Sequence, residues 1–135
     1  MGQMTEQATK ESQSPQGALP LLRTLTLPSE ANLNGGVFGG WIMAELDKAA
    51  GLLGMRRARG PCTTVAVENL RFVAALKVGE EFSIYGQVES VGRSSMRLRL
   101  DGFAADPSGG EPRRVVEALF VAVALDDAGR SRPLA

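Results

Sequence analysis

Asp47 and the glycines before it are the residues best suited to chemistry in this chain. They share one stretch, residues 34–47, that reads NGGVFGGWIMAELD. Gly39 and Gly40 fall where a glycine-rich loop gives way to an apolar helical pattern. The first N–H groups of a helix have no partner inside it, and they suit an anion or a developing oxyanion. Asp47, two turns further on, is a carboxylate able to accept a proton. An N–H donor for an oxyanion and a carboxylate acting on water are what ester or thioester hydrolysis requires.

Spacing limits how these parts cooperate. Asp47 follows Gly39 by eight residues, about 12 Å along a helix axis. That is too far for both to touch one atom within a single protomer. A two-fold dimer would bring Asp47 of one chain opposite Gly39 of the other. Asp47 lies on a stripe of small residues with Gly40, Met43, Ala44, Ala50, Gly51 and Gly54. Two readings stay open. Asp47 faces a cleft, buried and with a raised pKa, or it faces solvent or an arginine while the glycines allow close packing.

Other candidates are weaker. Gly92, Arg93, Ser94 and Ser95 form a turn whose guanidinium and hydroxyls suit phosphate, or simply a solvated turn. The loop GGVFGG lacks the Gly-Lys-Ser/Thr of a P-loop and does not fit G-x-G-x-x-G. Cys62 follows Pro61 with no base in sight and reads as a packing residue. The chain has no histidine. This excludes a Ser-His-Asp triad, a Cys-His pair and a His-ligated metal site, so no metal is expected.

The elements that must position these groups follow from periodicity. Residues 19–27 read as a strand, 29–40 as a turn-rich loop, and 41–55 as a helix with Arg56 and Arg57 at its C-terminus. Ile42, Leu46, Ala49 and Leu53 make its core stripe. Trp41, Glu45, Lys48 and Leu52 make a mixed one, with Glu45 and Lys48 spaced to pair. Strands are expected at 63–73, 81–91, 94–104 and 113–125. In the third, Met96, Leu98 and Leu100 alternate with Arg97, Arg99 and Asp101. Residues 127–130 open a polar tail. The simplest arrangement is one long antiparallel sheet curled around the helix, with outer strands left to favour dimerisation.

Composition is compatible with one domain. The chain has 135 residues, 44% of them apolar, and a formal net charge of zero, so no broad basic field for nucleic acid exists. Twelve of the fifteen cations are arginine. Residues 1–17 are polar and without periodicity and read as disordered, leaving 18–135 as the folded domain. A single cysteine excludes an internal disulfide. No apolar run suits a signal peptide or a membrane span, and a cytoplasmic protein is expected.

The chain resembles the hotdog-fold acyl-CoA thioesterases, specifically the YciA-like group. The resemblance covers about residues 21–134 through LLRTLTLPSEANLNG (21–35), VFGGWIMAELD (37–47), TTVAVENLRF (63–72), KVGEEFSIYGQV (77–88), VGRSS (91–95) and VVEALFVAVALDDAGRSRPL (115–134). It implies an α+β hotdog fold, a five-stranded antiparallel sheet wrapped around one long central helix. It also implies active sites at the interface of a homodimer, with dimers assembled into a hexamer as a trimer of dimers. By resemblance Asp47 is the catalytic aspartate, and Gly39, flanked by Gly40, polarises the thioester carbonyl. Gly92, Arg93, Ser94 and Ser95 contact CoA, which is part of the substrate, so no separate cofactor is implied.

One position departs from the family. Where its members read Asn-Gly-Asp before the glycine run, this chain reads Asn34-Gly35-Gly36. A polar residue is missing at the mouth of the implied site, and Asn34 is the residue placed to substitute for it. The expectation is an acyl-CoA thioester hydrolase, with Asp47 as general base or, alternatively, as nucleophile. A hotdog protein that binds or senses acyl-CoA without hydrolysing it is the alternative that Gly36 favours.

Overall fold

Alternation in the sequence becomes burial in the sheet. In β4 (Ser95–Ala105) Met96, Leu98 and Leu100 are fully buried, while Arg97, Arg99 and Asp101 face outward. The computed structural model describes residues 18–134. The disorder expected of residues 1–17 falls outside them.

Five strands form one antiparallel sheet in the order β1-β3-β4-β5-β2. They are β1 (Leu22–Leu25), β2 (Cys62–Phe72), β3 (Glu81–Val91), β4 and β5 (Arg113–Ala124). A single long helix, α1 (Gly39–Ala58), packs on one face against β2, β3, β4 and β5. This is the hotdog arrangement. Phe82 and Ile84 of β3, Val116, Ala118 and Phe120 of β5, and Met96, Leu98 and Leu100 of β4 meet Ile42, Leu46 and Ala49 of α1. Each fully buried large aliphatic side chain stabilises the fold by about 1.5–3 kcal/mol.

Several boundaries differ from the sequence reading. β1 is four residues long, not nine, because Thr26 leaves the sheet. Its hydroxyl lies 2.9 Å from the carbonyl oxygens of both Lys77 and Glu80. Residues 28–30 form a short 3-10 turn, in which the Leu27 N–H donates to Glu30 Oε1 at 2.9 Å. The helix starts at Gly39 rather than Trp41, because Trp41 and Ile42 N–H groups already bond the Phe38 carbonyl. It runs to Ala58 rather than Met55. Leu53 is only partly buried, and Ala50 and Gly54 join the buried face instead. Glu45, read as part of a mixed surface stripe, is buried and pairs with Lys48 at 2.8 Å.

The residues after 125 are part of the fold and not a loose polar tail. Asp126 Oδ1 accepts N–H bonds from Ala128 and Arg130, closing a turn. Arg132 Nη2 then donates to the Ala58 carbonyl at 2.6 Å, and Nε donates to the Leu125 carbonyl at 2.9 Å. A helix end leaves carbonyls without partners, so Arg132 acts as a cap supplied from the far end of the sequence. Two residues on, Leu134 N–H donates to the Arg93 carbonyl.

β2 and β1 are the sheet's edges. β2 is interrupted by bulges between Thr64 and Ala66 and between Glu68 and Arg71, with Asn69 at φ 52°. It also carries exposed Val65 and Val67. Among the described residues no helix is long and apolar enough to cross a membrane.

Candidate active site

The loop before α1 is shaped by one side chain, Asn32. Its Oδ1 accepts N–H bonds from Asn34 at 2.8 Å and Gly36 at 3.0 Å, an Asx-type turn. The Asn32 N–H donates to the Gly36 carbonyl, and Val37 N–H donates to the Leu76 carbonyl. The loop is thereby pinned to the segment that follows β2. Between them lies a cleft of about 240 Å³, lined by Asn32, Gly36 and Gly39 together with apolar Val37, Ile42 and Phe72.

Gly39 sits at the wall of this cleft at the first position of α1. Phe38, the residue that caps the helix, supplies no side-chain hydrogen bond, and the first turn holds no acidic residue. The leading N–H groups are therefore available to a ligand. A side chain at position 39 would meet the Phe72 ring at 3.3 Å, whereas one at Gly40 would meet nothing within 4 Å. Gly39 is thus the glycine with an aromatic neighbour close at hand, and Gly40 the one that faces open space.

Asp47 does not line that cleft. It is exposed within the protomer and accepts a 2.6 Å hydrogen bond from Thr64 Oγ1 of β2. Of the two readings left open by the sequence, burial of Asp47 does not hold within one chain. The small-residue stripe has a local explanation. β2 begins directly against it, and a methyl group at Gly54 would lie 2.7 Å from Cys62 Sγ. Cys62 also sits 3.9 Å from the Gly51 carbonyl. Burial first, and the Asp47 charge second, push its thiol above the usual range. A thiol held protonated is a packing group and not a nucleophile.

Asn34 is exposed, away from the cleft, and Asn32 takes the lining position instead. Asn32 and Thr64 are site residues that the sequence reading missed. The signal for Asn32 was its place two residues before Asn34 in the same loop. The signal for Thr64 was a hydroxyl alternating with Cys62 on the helix-facing side of β2. Neither gives a contact until the loop and strand are placed.

The 92–95 turn is a tight hairpin between β3 and β4. Gly92 N–H donates to the Ser95 carbonyl at 2.8 Å, and a side chain at Gly92 would collide with Ser95 Oγ at 2.7 Å. Ala124 N–H donates to the Ser94 carbonyl. Arg93 is exposed and has no carboxylate partner among the described residues. Among those residues no cluster of carboxylates and thiols is arranged to hold a metal ion.

Comparison with known proteins gives consistent results. The model of the thioesterase superfamily matches residues 34–111, which span the cleft loop, α1, the Thr64 strand and the 92–95 turn. An uncharacterized acyl-CoA thioester hydrolase of Haemophilus influenzae is 41% identical over 129 residues, covering 93% of this chain and 82% of the relative. The acyl-CoA thioester hydrolase YciA of Salmonella typhimurium is 35% identical over 130 residues, covering 93% and 96%. The crystal structure of a hexameric broad-specificity acyl-coenzyme A thioesterase, solved as an aspartate-to-alanine mutant, superposes with a TM-score of 0.82 at 40% identity and covers 87% of each chain.

Proposed function

Because this chain belongs to the thioesterase superfamily, we propose that it is an acyl-CoA thioester hydrolase that releases a carboxylic acid and CoA. The observation that carries this reading is the division of the site. An N–H donor and an amide line one cleft at the start of α1, and a hydrogen-bonded carboxylate stands exposed two turns away.

In this reading Asp47 is the general base. Its carboxylate takes a proton from water as the oxygen attacks the thioester carbonyl carbon. The oxyanion that forms is held by Gly39 N–H, helped by the positive end of the helix dipole. The C–S bond then breaks, and the CoA sulfur recovers the proton from Asp47. Thr64 holds one Asp47 oxygen and leaves the other for water. Asn32 offers its side-chain amide at the cleft wall.

The two halves meet across a dimer. A two-fold axis beside β2 would set Asp47 of one protomer against Gly39 of its partner. The exposed Val65 and Val67 on this unpaired edge support that axis. Assembly of such dimers into a hexamer is supported by the hexameric state of the similar thioesterase. The CoA portion rests on Gly92, Arg93, Ser94 and Ser95. A lone cysteine and no disulfide fit work in the reducing cytoplasm.

Gly36 favours a second reading, a protein that binds acyl-CoA without hydrolysing it, because it leaves the cleft wall one polar side chain short. Thiol release from a panel of acyl-CoAs, wild type beside Asp47→Ala, tests both. Turnover by wild type alone establishes the hydrolase. Binding without release in both proteins establishes the binder.

A further inference from the structure

One wall of the cleft is the segment that crosses from β2 to β3, and other parts of the chain hold it in place. Ala74, Ala75 and Leu76 line the cleft, between the end of β2 at Phe72 and the start of β3 at Glu81. Before Ala75, the Val73 N–H donates to the Val115 carbonyl of β5 at 2.9 Å. After it, the Leu76 carbonyl accepts from Val37 N–H, and the Lys77 carbonyl lies 2.9 Å from the Thr26 hydroxyl. Ala75 falls between these ties. Its carbonyl accepts a 2.6 Å hydrogen bond from Nη2 of Arg113, at the start of β5.

Arg113 has a second partner. Nη1 and the same Nη2 donate to the two carboxylate oxygens of Glu80, at 2.6 and 2.8 Å, and Glu80 Oε1 also accepts the Lys77 N–H. A bidentate arginine–carboxylate pair is complete by itself. Arg97 shows such a pair alone, with both terminal nitrogens on Glu68. Arg113 goes further and puts one arm on a backbone carbonyl of the cleft wall. Anchoring the start of β3 explains the contact with Glu80. It does not explain the contact with Ala75, which is exposed, so that water could satisfy its carbonyl. What the arginine adds there is a fixed position.

That position carries over to the helix start. Leu76 follows Ala75, its side chain is buried, and its carbonyl holds the Val37 N–H. Val37 comes two residues before Gly39, the first residue of α1. The wall and the N–H donor are therefore joined by one continuous run of contacts that begins on β5. A reacting group displaced by about 1 Å can lose up to about 10²-fold in rate, so the site is sensitive to how firmly this run is held.

We propose that Arg113 is a positioning residue of the cleft: by holding the Ala75 carbonyl it fixes the wall at the spacing from the Gly39 N–H that a thioester carbonyl needs. The inference rests on the reading of the chain as an acyl-CoA hydrolase. Arg113 acts through Ala75 and Leu76, and Glu80 aims its guanidinium. Arginine suits the task because its planar fork serves a carboxylate and a carbonyl at once in one fixed geometry.

Arg113→Lys in the full protein separates the two contacts. The lysine ammonium keeps the charge opposite Glu80 but ends one bond short of Nη2 and has no second arm, so the Ala75 carbonyl loses its donor. The thermal midpoint should stay near that of wild type, while kcat falls about tenfold and KM changes less than about twofold. Hydrogen exchange at the Val37 amide should quicken by more than the change in global stability accounts for. Arg113→Met should show the same loss of kcat together with a lowered midpoint. Arg97→Met removes an ion-paired arginine away from the cleft and should leave kcat and Val37 exchange at wild-type values. Full kcat in Arg113→Lys, or Val37 exchange that only follows global stability, overturns the proposal. If wild type releases thiol and Arg113→Lys matches it, the clamp falls and the hydrolase reading stands. If wild type releases no thiol from any acyl-CoA and Val37 exchange quickens in Arg113→Lys, the hydrolase reading falls and the clamp stands.

Discussion

Thr64 Oγ1 donates a 2.6 Å hydrogen bond to Asp47 Oδ1, and this contact joins the edge strand β2 to the exposed side of α1. It fixes the carboxylate rotamer of a residue that is otherwise free in solvent. Asp47→Ala should keep the fold, since the side chain is exposed, and should lower kcat by about 10²–10⁴-fold. Circular dichroism beside steady-state thiol release checks both halves. A loss of only a few-fold removes Asp47 from the chemistry.

Thr64→Val keeps the shape and deletes the donor. The carboxylate then samples other rotamers, and kcat should fall about tenfold with KM little changed. Thr64→Ser should recover most of the rate because the hydroxyl returns. A uniform rise in KM across both variants would mean that Thr64 shapes binding instead.

At Gly39 a methyl group would press on the tip of the Phe72 ring at 3.3 Å. Gly39→Ala should fold, because a ring tip can yield, and should lose turnover as Phe72 moves into the cleft. Gly39→Ala/Phe72→Leu should recover part of it. No recovery would show that the lost activity lies in the N–H approach itself.

Gly54 meets Cys62 with no room to spare. Gly54→Ala gains about 1 kcal/mol of helix propensity but forces about 1–3 kcal/mol of overpacking. Thermal melts should show net destabilisation, and Cys62→Ala in the same chain should reverse its sign.

Glu80 ties the start of β3 to β5. Arg113 donates to both its carboxylate oxygens, at 2.6 and 2.8 Å, and Lys77 N–H donates at 2.8 Å. The Arg113 hydrogen bonds, ahead of the opposing effect of burial, hold the Glu80 carboxyl below the usual carboxylate range. A lowered folded-state pKa stabilises the protein above the unfolded value, about 4.5, and that stabilisation is lost as pH falls through the folded value. Glu80→Gln should therefore lower stability near neutrality and narrow the gap to wild type in acid. A gap independent of pH would show that the pair contributes nothing by charge.

Much of the fold was legible because burial follows period. β3 matched residue for residue, and β2, β4 and β5 matched to within one residue at each end. The helix was placed correctly but cut short, because its end is set by Arg59 in the left-handed region, where no glycine signals it, and by Arg132, far away in sequence. The site was legible in part. Gly39 and Asp47 carry local signals, a helix start and a charge on a small-residue stripe. Asn32 and Thr64 carry only weak ones, because their roles come from a loop pinned against residues 76–77 and from a strand laid against α1. The loop also displaced Asn34. Its neighbour two places earlier holds the turn, and the pinning sends one asparagine to the cleft and the other to water.

A chemical test of the cleft wall follows from Gly36. Its φ is not in the left-handed region, and a side chain there would first meet the Leu76 carbonyl at 3.4 Å and Asn32 Nδ2 at 3.5 Å. Gly36→Asp should therefore fold and place a carboxylate beside Asn32. Raised kcat would show that the wild-type cleft lacks a group the chemistry uses. Unchanged kcat would show that Asn32 suffices.

The reach of Arg132 to Ala58 spans 74 residues of sequence. β2, likewise, finds its only strand neighbour among the described residues in β5, as when Cys62 pairs with Ala124. On a ribosome, α1 and β2 emerge long before the residues that finish them. Until then the Ala58 carbonyl lacks its Arg132 partner, and the apolar edge carrying Val65 and Val67 has no strand on either side. The nascent chain thus carries this edge bare from the completion of β2 at Phe72 until β5 is made. The sheet closes on β2 only when its last strand arrives, and until then the edge is open to pairing with other chains.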